Sequence, residues 1–115
     1  MQKNLFGTKN EIIAANYLKN LGYKIIKLNY KTKIGEVDII AKDKNYLVFV
    51  EVKARVSRAF GDPAEAVNFQ KQQKIRNVAS LYLIKNKKQE ENCRFDVVSI
   101  LGNEDIEIRH IIDAF

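Results

Sequence analysis

GEVDIIAKDKNYLVFVEVKAR, Gly35 to Arg55, places Asp38, Glu51 and Lys53 inside runs otherwise built from Val, Ile, Leu and Phe. Ionised side chains rarely enter such runs unless they are paired, bound to a metal or used in chemistry. Both runs read as buried strands. Successive strand side chains face opposite ways, so Glu36, Asp38 and Ile40 fall on one face of the first. Leu47, Phe49, Glu51 and Lys53 fall on one face of the second. A hairpin with Asp43 and Lys44 at its tip sets position 38 opposite 49 and position 36 opposite 51. Glu36, Asp38, Glu51 and Lys53 then share a face, with Asp38 diagonal to Glu51 at roughly 7–8 Å between backbones. A slip of one residue would part the two acids. Converging carboxylates with no paired Arg repel, and a hard divalent cation relieves that repulsion. Mg²⁺ fits, with Mn²⁺ as a substitute, because it prefers oxygen ligands and keeps waters that a phosphate can displace. A Lys beside it can orient a water and balance charge building on a phosphate.

Outward from this stretch, apolar residues recur at helical spacing from about Leu5 to Leu21, and Gly22 supplies the stop. Glu11 stands out on that helix. Its neighbours at helical spacing are Gly7, Thr8, Ala14, Ala15 and Leu18, a small and apolar face on which a solvated Glu is out of place. Tyr23 to Asn29 reads as a strand. A loop from Ala54 to Gly61 is expected to be mobile without substrate. Asp62, Pro63 and Glu65 suggest a capped helical turn. A second helix should begin near Asn68 and run to about Lys87, with an apolar stripe of Ile75, Val78, Ala79, Tyr82 and Leu83. Arg94 to Ile100 and Ile106 to Ile112 alternate as strands around Gly102 and Asn103. The order is αβββαββ, an α/β chain with helices on a central mixed sheet. Asp96 reads as a structural carboxylate paired with a cation such as Arg94 or Arg109. One His and one Cys cannot build a zinc site, and neither a nucleophile elbow nor a Gly-rich phosphate loop is present.

At 115 residues and 46% apolar content the chain fits one domain with a single core. The lone Cys93 suits a reducing compartment. No apolar run approaches a membrane span and the first residues lack a signal-peptide core, so the expectation is a cytosolic protein off the membrane. The net charge of +6, from 20 Lys and Arg against 14 acids, favours a polyanionic partner. Lys24, Lys27, Lys31 and Lys33 precede Asp38. Arg55 and Arg58 follow Lys53, and Lys71, Lys74 and Arg76 open the second helix. Tyr30, Phe60 and Phe69 lie among these cations. Lys85, Lys87 and Lys88 read as plain solvated surface.

The Asp followed by Glu-x-Lys on the next strand resembles the PD-(D/E)XK nuclease superfamily. Gly35-Glu36-Val37-Asp38, Phe49 to Arg55, Gly61-Asp62-Pro63, Lys71 and Arg94 to Val98 together resemble the YraN-type family of small bacterial proteins. These are described as predicted endonucleases related to Holliday junction resolvases, and the match runs from about Gly7 to Ile100. Val37 stands where the superfamily's name has Pro. No Gln-x-x-x-Tyr follows the Lys, which argues against the exonuclease branch. The resemblance implies a restriction-endonuclease-like fold and Mg²⁺-dependent cleavage of DNA, including branched or junction DNA. Asp38, Glu51 and the Val52 carbonyl would hold the metal and Lys53 would position the attacking water. Glu11 would complete the site as the acidic residue of the first helix. Lys33, Arg55, Arg58 and Lys71 would hold the phosphate backbone. Glu36 would be a further metal-side residue or a solvated one. Junction resolution would call for a homodimer. The rival expectation is a nucleic-acid-binding protein on a nuclease fold, without turnover.

Overall fold

The computed structural model describes residues 9–57 and 67–115. Helix α1, Lys9–Asn20, is followed by β1, Lys24–Thr32, β2, Gly35–Asp43, and β3, Tyr46–Arg55. Helix α2, Phe69–Lys85, then leads to β4, Asn92–Leu101, and β5, Glu107–Ile111. The five strands form one sheet in chain order, with β3 and β4 parallel and every other pair antiparallel. This is the αβββαββ order expected.

The caps explain where α1 ends and where α2 begins. Gly22 sits at φ 100° and donates to the Lys19 carbonyl while Tyr23 donates to that of Leu18. That pair of bonds is a Schellman closure, which favours glycine at the left-handed position. Asn68 caps α2 by accepting from the Lys71 N–H at 2.9 Å.

Each helix covers one face of the sheet. Ala14, Ala15 and Leu18 of α1 pack on Ile39, Ala41, Val48, Val50, Val98 and Ile100. On the other face Ile75, Val78, Ala79 and Tyr82 of α2 pack on Ile40, Leu47, Phe49 and Val97. The alternation along β3 therefore divides its buried run between two cores, which is why it reads as continuously apolar.

Three local expectations are corrected. The β2–β3 turn is Lys44-Asn45, not Asp43-Lys44, since Asp43 pairs with Tyr46 and Lys44 takes φ 55°. Arg94 holds this register. It bonds the Asp43 carboxylate at 3.1 Å and lies over the Tyr46 ring. The shift is by two residues, so strand parity survives. Second, β3 runs through Ala54 and Arg55, which pair with Ile100 and Leu101, so the loop after the motif begins later. Third, strict alternation fails at Asp38. Ile39 and its partner Leu28 belong to the α1 side, whereas Val37 and its partner Tyr30 belong to the α2 side. Asn29, between those two pairs, is left-handed at φ 53°. The far half of the β1–β2 hairpin bends over α2, where a Cβ on Gly35 would sit 3.3 Å from Val78. Leu5 to Thr8, Arg58 and the turn expected around Pro63 lie outside the described residues.

Candidate active site

The bend creates the site. β2 and β3 pair from Asp43↔Tyr46 to Ile39↔Val50. Beyond that point the Asp38 side chain takes over, its Oδ2 accepting the Val52 N–H at 2.8 Å. A carboxylate thus replaces a ladder carbonyl at the place where the strands part.

Around Asp38 the electrostatics are unfavourable to a second negative charge. Burial pushes its carboxyl up to about 6, and the nearby Glu51 charge adds to the rise. The Val52 N–H and a hydrogen bond with the Glu11 side chain pull the other way. A hydrogen bond between two carboxyl groups requires a proton on one of them. Glu11 is buried on α1, in keeping with its apolar helical face, and this bond brings it to the motif. A divalent cation would satisfy the same oxygens without that proton.

Glu51 is 4% exposed and sits between two ammonium groups. Lys53 Nζ is 3.6 Å from its Oε2 and Lys71 Nζ, arriving from the first turn of α2, is 3.4 Å away. Both Lys side chains remain partly open to solvent. The structure therefore brings Asp38, Glu51, Lys53, Glu11 and Lys71 together. Lys71, read from the sequence both as a phosphate-backbone cation and as a residue able to lean toward the acids, lies against Glu51. Glu36 pairs with Lys31 across β1–β2, is exposed, and ranks last among the influences on Asp38. Lys33 stands in the exposed β1–β2 turn, braced by Thr32, whose hydroxyl accepts from the Ile34 N–H and donates to the Gly35 carbonyl. Arg55 lines a cavity of about 370 Å³ with Lys9 and Asn10, beyond the motif. Arg58 lies outside the described residues.

The fit to a metal rests on the chemistry of the donors. The carboxylates of Asp38 and Glu51 are the hard oxygen donors that Mg²⁺ takes together with waters. Among the described residues no three His, Cys, Asp or Glu side chains are grouped so as to hold a metal ion. Mg²⁺ ordinarily takes one or two carboxylates and keeps its remaining positions for water, so Asp38 and Glu51 alone would suffice as the protein's carboxylate donors.

A second polar cluster escaped the sequence reading in part. Asp96, fully buried, accepts from Arg94 Nε at 2.9 Å, the Asp113 N–H at 3.1 Å and Tyr23 Oη at 3.2 Å, and lies 2.7 Å from His110 Nε2. Burial alone would raise its carboxyl, but His110, Arg94 and the Asp113 N–H hold it down at about 2. The expected Arg94 pairing is present. His110 was missed, although the register Val98↔His110 puts it on the face of Asp96. The cluster ties Tyr23, just ahead of β1, to β4 and β5 on the α1 face, away from Lys53.

A mixed five-stranded sheet with α1 on one face and α2 on the other is the restriction-endonuclease-like arrangement. The model of the uncharacterised protein family UPF0102 matches residues 10–100, and the chain belongs to that family, the YraN-type family its motifs resemble. A UPF0102 protein of Clostridium botulinum is 47% identical over 95% of this chain and 92% of its own length. One from Caldanaerobacter subterraneus subsp. tengcongensis is 44% identical, covering 100% of this chain and 98% of the relative. A third, from Alkaliphilus oremlandii, is 48% identical over 95% and 96%. Among the described residues no helix is long and apolar enough to cross a membrane.

Proposed function

We propose that the protein is a Mg²⁺-dependent endonuclease that hydrolyses phosphodiester bonds in DNA. One observation carries this reading. The half-buried Asp38 carboxyl, raised to about 6 beside Glu51, is gathered with Glu11 and Lys53 at a split in the sheet. A purely structural role gives no reason to set the Asp38 carboxyl against both Glu11 and Glu51.

Asp38, Glu51 and the Val52 carbonyl would hold the divalent ion, which would neutralise charge accumulating on the phosphate during displacement. Lys53, anchored on Glu51, presents an ammonium that orients the attacking water and stabilises the phosphate oxygens. The water oxygen bonds to phosphorus as one ester P–O bond breaks, and the water's protons end on solvent and the leaving oxygen. Glu11, bonded to Asp38, keeps that carboxylate aimed and offers a further oxygen. Lys33, Arg55 and Arg58 would hold backbone phosphates. Branched DNA is the substrate class implied by the family resemblance, and a dimer would be required to cut a junction symmetrically.

The second reading, a nucleic-acid binder without turnover, draws support from Lys71. Its ammonium already offsets the Glu51 charge that a metal would need. The discriminating experiment is cleavage of single-stranded, duplex, flap and four-way-junction DNA with Mg²⁺ or Mn²⁺, alongside Glu51→Ala. Metal-dependent products that vanish in the variant support the nuclease. Binding without products on any substrate supports the binder.

A further inference from the structure

The bend that forms the site also lifts the β1–β2 turn against the last two turns of α2, and a groove of about 580 Å³ runs between them. Its walls are apolar and open. Ile34 is 48% exposed, Leu81 40% and Ile84 59%, with Tyr30 beside them. Such clusters of open Ile and Leu are uncommon on a monomer unless something docks there. Lysines rim the groove: Lys31 and Lys33 on the hairpin, Lys85 on the helix, with no carboxylate among the residues that line it. Lys31, Thr32 and Lys33 also line a shallower depression that continues to Gly35 and Glu36, two residues short of Asp38.

We propose that this groove takes an unpaired nucleic-acid strand, its bases against Ile34, Leu81 and Ile84 and its phosphates on Lys31, Lys33 and Lys85. The inference rests on the nucleic-acid reading of the site and adds to it a preference for single-stranded segments. Unpaired bases expose apolar faces that a duplex hides, so an apolar floor with a cationic rim suits a single strand. A second copy of the chain is a poor occupant. A twofold interface would set the same three lysines against themselves with no acid between them. An acidic peptide matches the charge, but only a nucleic acid explains why the lysine rim leads toward a phosphodiester site. Lys85, unremarkable in the sequence, acquires a role.

The test measures binding in EDTA, where no chemistry occurs, so its outcome is independent of whether Asp38 and Glu51 support cleavage. Fluorescent oligo-dT, an abasic oligomer of equal length and a blunt duplex are titrated onto wild-type protein, Ile84→Asp and Lys85→Glu. Both positions are exposed, so the fold should be retained, and circular dichroism checks it. The expected result is oligo-dT affinity falling about tenfold in each variant while duplex affinity falls less than about twofold. Wild-type affinity for the abasic strand should already be low, with Ile84→Asp causing a smaller further loss than on oligo-dT. Equal losses on duplex and single strand, or unchanged oligo-dT binding, overturn the proposal. So does a wild-type dimer that sedimentation shows to dissociate in Ile84→Asp, or poly-glutamate that binds as tightly as oligo-dT with the same Ile84 dependence.

Discussion

Asp38 couples the site to stability. Its folded-state carboxyl, at about 6, holds a proton more tightly than in the unfolded chain. Stability is therefore greatest below the ordinary carboxylate range and declines as pH rises through 6. In EDTA, moving from about pH 4 to about pH 7 should cost on the order of 1–3 kcal/mol from this group. Asp38→Asn keeps an oxygen for the Val52 N–H and removes the titration. Urea unfolding at both pH values should show the decline in wild type and a flatter profile in the variant. Equal profiles would mean the carboxyl is not held in its neutral form. Lys71 makes the complementary case. Because its ammonium competes for Glu51, Lys71→Met should tighten Mg²⁺ binding roughly two- to fivefold by calorimetric titration, the scale of a partly exposed ion pair. Unchanged or weaker metal binding would place Lys71 on the substrate instead.

At the scale of elements, the two motif strands were legible because a two-residue register shift preserves which face each side chain takes. Glu11 was legible too, since a Glu flanked at helical spacing by Ala14, Ala15 and Leu18 has no solvated face to occupy. The bend at Asp38 was not. It depends on Val37 and Gly35 being drawn onto Val78 of α2, a contact some forty residues along the chain that no local pattern encodes. His110 was hidden for a related reason, because its partner lies across β4–β5 and only the exact register brings them together. That network makes a prediction about folding rather than function. Asp96→Asn leaves Arg94 short of its carboxylate on a buried face, and should cost about 3–5 kcal/mol by urea unfolding near neutral pH. The wild-type carboxyl is held below its unfolded value, so its contribution is present above the ordinary carboxylate range. It is lost as pH falls through about 2. DNA and metal binding by the folded fraction should be unchanged, since the cluster sits on the α1 face away from Lys53. A mild effect would mean that His110 and Arg94 find other partners.

For the molecule as a whole, charge and metal give separable readouts. If about 5 phosphates are neutralised on duplex DNA, log K should fall against log salt with a slope near −4 to −5. A flat response would reduce the net charge of +6 to solvated surface. The metal acts differently, because an ion that binds only the folded chain stabilises it by mass action. Mg²⁺ at about ten times its Kd should add about 1.4 kcal/mol and raise Tm by about 5–10 °C for a chain of this length. Asp38→Asn and Glu51→Gln each remove one carboxylate charge and should lose most of that shift. Without metal they should melt at or slightly above wild type near neutral pH, since repulsion between Asp38 and Glu51 is relieved. Their DNA binding should persist or tighten, because an anion has left the neighbourhood of the phosphate. A wild-type protein that binds DNA with the expected salt slope, gains no Tm from Mg²⁺ and yields no cleavage products would establish the binder. In that protein Glu51 would remain permanently paired with Lys53 and Lys71.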